Sequence, residues 1–249
     1  MDQYKFSSEH SKMIVEAIVE GYREYIEHRK DRRDNMIISS AFAWTKGNFI
    51  ESKLAEECRD QGFTYLKSKA GLTWVYLQFV HGDSKKLFLI KNAAYFNKEN
   101  FSQAKVPTDS GKIGRKRTYL HELSQINKNA TFSSSHEDTQ VAEVNHSEQL
   151  SLFVTENQVK DELEHSKSYY NEFHILTYRL DDAFQIDEIM HYLPNPANNI
   201  AYEVEDLSHY IVGAELTDEE RKVVAPDASE DLLDPAAFDI GILEEEDEK

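Results

Sequence analysis

The spacing of apolar residues changes at Phe63, and that change bounds the fold more tightly than any other feature of the chain. Upstream, Ile14, Ile18, Tyr22, Tyr25, Ile26 and Arg29 recur at steps of three and four. That is the period of one face of an amphipathic helix, predicted over 11–33 with Ser11 as its N-cap. Phe49, Ile50, Leu54 and Cys58 repeat the period over 47–61, and Gly62 suits the residue just past a helix end. Downstream, FTYLKSK, TWVYLQFV and KKLFLIKN are short, aromatic and aliphatic, and broken at Ala70-Gly71 and His81-Gly82-Asp83. They read as three strands, the last two paired as a hairpin. Helical and strand periods in separate blocks predict an α+β chain: N-terminal helices with a small antiparallel or mixed sheet.

Beyond the third strand, residues 97–117 are polar, with Pro107, Gly111, Gly114 and the basic residues Lys112, Arg115, Lys116 and Arg117. This composition predicts an exposed basic loop. Tyr119 to Ile126 reads as a short helix, and the Ser- and Asn-rich residues 127–149 as a flexible insertion. LSLFVTEN, FHILTYRLD, AFQIDEIMHYLPNP and IAYEVEDLSHYIV supply a second β-rich unit over 150–214. No repeat of constant period is present, which excludes solenoids and propellers.

Charge divides the chain unevenly. The net is −18 over 249 residues. From Glu215 to Lys249, fourteen acids against three bases leave −11, so most of the acidity belongs to the last 35 residues. A tail of that composition is expected to be disordered. Within it Leu232, Leu233, Phe238, Ile240, Ile242 and Leu243 alternate with Asp and Glu, the pattern of a docking peptide that orders on a partner with a basic surface. The tail also has an internal option, folding back over the basic loop and the Arg29, Lys30, Arg32, Arg33 run. Net acidity argues against coating of nucleic acid. Apolar runs of a few residues, such as Leu87 to Ile90, fall short of a membrane span. A single cysteine and the absence of a secretory apolar region predict a reducing, cytoplasmic setting.

The motifs for chemistry are incomplete. Among nine glycines neither G-x-x-x-x-G-K-[ST] nor G-x-G-x-x-G occurs, so no phosphate cradle of those kinds is present. His121-Glu122-Leu123-Ser124-Gln125 has Gln where a zinc protease helix needs its second imidazole. His136, Glu137, Asp138 and His146 fall in the Ser- and Asn-rich stretch and read as loop residues. Cys58 shares the apolar face of the second helix, which predicts a buried, inert thiol and not a nucleophile. Trp44, Trp74, Tyr76 and Phe79 read mostly as strand core, with Trp74 and Tyr76 as candidates for a contact surface.

The order helix, strand, strand, strand over 47–92 resembles the start of the PD-(D/E)XK nuclease superfamily. That resemblance implies two carboxylates holding Mg²⁺ and a lysine orienting water. Lys91 matches the lysine, Glu51 or Glu56 would serve as the helix carboxylate, and Asp83 lies in the turn between strands. Leu89 stands where the acid of the acid-x-lysine motif belongs, and Thr73 opens the second strand without a nearby Asp. The sequence therefore leans away from an enzyme, with no cofactor or metal expected. Its reading is a non-enzymatic binding protein that neutralises or regulates a protein partner, in the manner of a bacterial or phage antitoxin or inhibitor. A nuclease-like enzyme and a DNA-binding regulator using residues 112–117 are the alternatives.

Overall fold

The computed structural model describes residues 1–37, 39–70, 74–102, 104–107, 113–116, 118–132, 150–155, 169–225 and 238–243. Its helices are α1 (Ser8–Asn35), α2 (Lys46–Glu57), α3 (Tyr119–Ser124) and α4 (Asp218–Val224). Its strands are β1 (Phe63–Ala70), β2 (Trp74–His81), β3 (Lys86–Asn92), β4 (Ala104–Pro107), β5 (Ile113–Lys116), β6 (Leu150–Thr155), β7 (Glu172–Leu180), β8 (Ile186–Asn195), β9 (Ile200–Asp206) and β10 (Phe238–Leu243). The chain is α+β.

Helix α1 begins one turn earlier than its apolar spacing suggests. The Ser7 hydroxyl, not that of Ser11, accepts a hydrogen bond from the His10 N–H at 3.2 Å, and Ser11 is buried within the helix. Helix α2 ends at Glu57, and Gly62 follows at φ +78° before β1 starts, a conformation that costs glycine nothing.

Six strands join in one mixed sheet of order β1-β2-β3-β7-β8-β9. Every neighbouring pair is antiparallel except β3 and β7, which run parallel from Lys86 opposite Glu172 to Asn92 opposite Tyr178. Strands β7 to β9 of the expected second β-rich unit thus extend the first sheet, while β6 pairs outside it with β10. The reason lies in Leu87–Ile90, an unbroken apolar run, and Phe173–Leu176, apolar but for the buried His174, both in strands covered on both faces. Each needs a neighbour, and they take each other.

Strand alternation splits the core. Phe88 and Ile90 of β3, with Leu176 and Tyr178 of β7, pack against α1 and α2 together with Ile14, Ile18, Ile50 and Leu54. Leu87, Leu89, Phe173 and Ile175 face the other way and pack with Tyr119, Leu120 and Leu123 of α3. The sheet is therefore sandwiched between two helical layers. The end of α3 is latched by Asn127, a residue expected in the flexible insertion. Its amide donates to the carbonyls of Phe173 (2.7 Å) and Pro194 (2.9 Å) and accepts from the Phe173 N–H (2.8 Å). Residues 133–149, with His136, Glu137, Asp138 and His146, lie outside the described residues.

The start of the acidic tail is folded. Thr217 and Glu220 form a capping box for α4, and Leu216 and Val223 are buried. Arg29 Nε donates to the Val223 carbonyl at 2.8 Å, Arg33 to the Lys222 carbonyl at 2.8 Å, and Arg23 pairs with Glu220 at 3.2 Å. The tail boundary at residue 215 therefore moves past Ala225. Two apolar side chains and the orphan carbonyls at the end of α4 give this short acidic segment what it needs to dock on the basic end of α1.

Cys58 is buried against the core, as its helical spacing predicts, and burial pushes its thiol up to about 12. Reaction with a thiol reagent in native buffer should take hours, against minutes once the chain is unfolded. Stoichiometric labelling of the folded protein within minutes would contradict this placement.

Candidate functional site

The nuclease-like residues do not converge. Glu51 projects from α2, where one carboxylate oxygen accepts the Leu77 N–H at 2.9 Å. Burial pushes its carboxyl up to about 8, against the lowering effect of that hydrogen bond. Lys91 shares the alternation of Leu87 and Leu89, whose side chains lie on the α3 face of the sheet. The sheet thus separates Lys91 from the α2 layer that carries Glu51. Asp83 sits in the exposed turn before β3, and Lys91 lies five positions into that strand from Lys86, roughly 17 Å along it. Glu56 turns outward on α2, 70% exposed. Among the described residues no group of three His, Cys, Asp or Glu side chains is placed to hold a metal ion.

The other sequence candidates are dispersed as well. Arg115 and Lys116 belong to β5, paired with β4 at Lys105 and Ala104, so this part of the basic stretch is a hairpin strand. Lys112 and Arg117 lie outside the described residues, as do Leu232 and Leu233. Phe238, Ile240, Ile242 and Leu243 lie on β10, which pairs in parallel with β6 from Leu150 to Thr155. Their backbone is engaged by the chain itself.

Two arrangements that the sequence reading passed over do bring charged groups together. One is a ridge on the outer side of α1 and α2. Lys53 Nζ lies 3.4 Å from Glu20, 3.2 Å from Glu24, 4.0 Å from Glu56 and 3.3 Å from Glu57. The hydrogen bond to Glu24, reinforced by Glu57 and Glu20 against a smaller desolvation effect, raises the lysine above its ordinary range. Four carboxylates around one ammonium leave a strong net negative field, extended along α1 by exposed Glu27, while Glu16 is paired with Lys12 at 3.6 Å.

The other is a buried polar chain where β3, β7 and β8 meet. The strand register sets Lys86 opposite Glu172 and His191 opposite Leu176. Lys86 Nζ reaches Glu172 Oε2 at 3.3 Å and also donates to the carbonyls of Tyr4 (2.8 Å) and Lys5 (3.0 Å), pinning the N-terminal segment. Glu172 Oε2 meets His174 Nε2 at 3.0 Å, and His174 Nδ1 meets His191 Nε2 at 2.9 Å. Phe6 stacks on the His191 ring with centroids 5.0 Å apart. Burial holds both imidazoles neutral, far below their usual value, with Lys86 adding to the effect and His174 acting on His191. Neutral rings in this order have one consistent proton arrangement. His174 donates through Nε2 to the carboxylate, and His191 donates through Nε2 to His174 Nδ1. His191 Nδ1 is then a bare acceptor, and it is the buried ring nitrogen with no partner. The trace of this chain in the sequence is one histidine in each of two apolar strands, FHILTY and IMHYLP.

Glu172 is the exposed end of the chain. It forms part of the wall of a polar cleft of about 940 Å³, with Tyr4, His121, Gln125, Asn129 and Tyr170 among the other lining residues. Burial raises the Glu172 carboxyl, and Lys86 opposes the rise. Among the described residues no helix is long and apolar enough to cross a membrane. No family model matches the chain, and no curated protein or solved structure matches it either.

Proposed function

We propose that this chain is a cytoplasmic, non-enzymatic binding protein that neutralises or regulates a protein partner with a basic surface. The observation that carries the reading is the ridge around Lys53, where four glutamates on two packed helices meet a single cation. A rigid helical pair holds the charges in place without a loop having to order. Such a field speeds encounter with a basic surface and selects against acidic ones. The separation of Glu51, Asp83 and Lys91 favours this reading over the metal nuclease. An inhibitor of the antitoxin type would use the ridge in place of the tail residues Phe238 to Leu243, whose backbone is paired.

The test uses a heptaarginine peptide as probe and compares two variants that remove equal charge. One is the ridge triple Glu20→Gln/Glu24→Gln/Glu57→Gln, and the other is Glu203→Gln/Glu205→Gln/Asp206→Asn on edge strand β9. The ridge variant is expected to weaken binding at least tenfold more than the β9 variant in low salt, with the difference fading as salt rises. Equal losses would reduce the ridge to a share of the general charge and overturn the reading.

A further inference from the structure

We propose that the cleft at the head of β7 binds a small molecule carrying an ammonium or guanidinium group, with Glu172 as the recognition carboxylate. The site is independent of the α1 and α2 ridge, which lies on other residues. Glu172 Oε2 is already held by Lys86 and His174, while among the described residues no bond reaches Oε1. The side chain is 22% exposed and lines the cleft. A carboxylate has about four lone-pair positions, so the acceptor capacity of Oε1 remains for a ligand. The two donors behind Oε2 hold the group in one orientation, which removes much of the ordering that a loose surface glutamate would undergo on binding.

The rest of the wall fits a compact polar cation. Tyr4 and Tyr170 are among the lining residues, and both are nearly buried, so they form fixed parts of the wall. Gln3, Gln125 and Asn129 add amide carbonyls that can accept further N–H donors. The volume exceeds what a bare cation needs and suits a small organic cation. An anion would meet the carboxylate of Glu172 directly, while exposed Lys128 is the one lysine of the lining.

Agmatine, which carries both cationic groups, and inorganic phosphate serve as probes in calorimetric titrations of the full chain. Agmatine is expected to bind saturably at one site, with phosphate at least tenfold weaker. Glu172→Gln should weaken agmatine at least tenfold. That variant leaves Lys86 without its carboxylate and risks the fold, so Asn129→Arg provides a second test. It places a cation at an exposed rim position, leaves the buried chain intact, and should weaken agmatine to a similar degree. The ridge triple should leave the site's affinity within about twofold, which separates this inference from the partner-binding reading. Absence of saturable agmatine binding, tighter binding of phosphate, or unchanged affinity in the folded Asn129→Arg protein would overturn the proposal.

Discussion

Gly21→Ala is expected to lower the melting temperature by about 5–10 °C, although alanine is the better helix former. In an unconstrained helix the change would stabilise by about 1 kcal/mol. At this position, however, a Cβ would come within 2.7 Å of Ile50 Cα and 2.9 Å of the Phe49 carbonyl oxygen. Both are backbone atoms of α2, so no side-chain rotation relieves the clash. The two helices must separate, loosening Ile18, Tyr22, Ile50 and Leu54, at a net cost of about 2–3 kcal/mol. In a chain of this size that corresponds to the stated shift. Gly47→Ala is the control. It lies in the first turn of α2 with nothing within 4 Å of its would-be Cβ, and should be neutral or stabilising by up to about 1 kcal/mol. A Gly21→Ala protein that melts at or above the parent temperature would show that α1 and α2 do not approach as described.

Acidification below pH 6.5 is expected to destabilise the fold through His174 and His191. Both are fully buried with folded values far below 6.5, so the unfolded chain takes up two protons that the native state refuses. Their contribution is complete above the unfolded value and is lost as pH falls beneath it. At pH 5 the ceiling on that loss is about 4 kcal/mol, from two protons at 1.36 kcal/mol per pH unit. His81, lowered chiefly by burial, acts in the same direction.

Glu51 acts in the opposite sense. Its folded value of about 8 lies above the ordinary 4.5, so its contribution is complete below 4.5 and is lost as pH rises towards 8. Over the same acid interval it returns about 2 kcal/mol, somewhat less because the side chain keeps partial exposure to the groove beside α2. Glu172, also raised, works in the same direction as Glu51. The net is a stability maximum near pH 6.5, with melting temperature falling on both sides. Glu51→Gln should flatten the alkaline side and steepen the acid side. Thermal melts at pH 5.0, 6.5 and 8.0 decide the matter, and a temperature that holds steady or rises from pH 6.5 to 5.0 would exclude the neutral histidine pair.

Much of the local structure was legible from spacing. The apolar period placed α1 and α2 within a few residues of their ends and put Cys58 on the buried face. The change at Phe63 marked β1 to β3, and the segments FHILTYRLD and AFQIDEIMHYLPNP marked β7 and β8. These are local signals, in which residues three, four or two apart share a face whatever surrounds them. The candidate site was less accessible. Glu51, Asp83 and Lys91 are near in sequence, but strand alternation and the length of β3 separate them in space.

Tertiary structure alone decided the rest, because the deciding contacts join residues far apart in the chain. The parallel pairing of β3 with β7 brings Lys86 to Glu172 and His174, across a separation that no periodicity encodes. The docking of α4 on α1 takes residues 216–224 out of the acidic tail, since Arg29 and Arg33 supply donors that composition cannot locate. The sequence by itself determined which segments would be helix or strand and which faces would be apolar, because those follow from local steric and hydrophobic pattern. Which charged groups would share a cleft, a ridge or a buried chain was decided only when the sheet closed across distant strands and placed its helices on opposite faces.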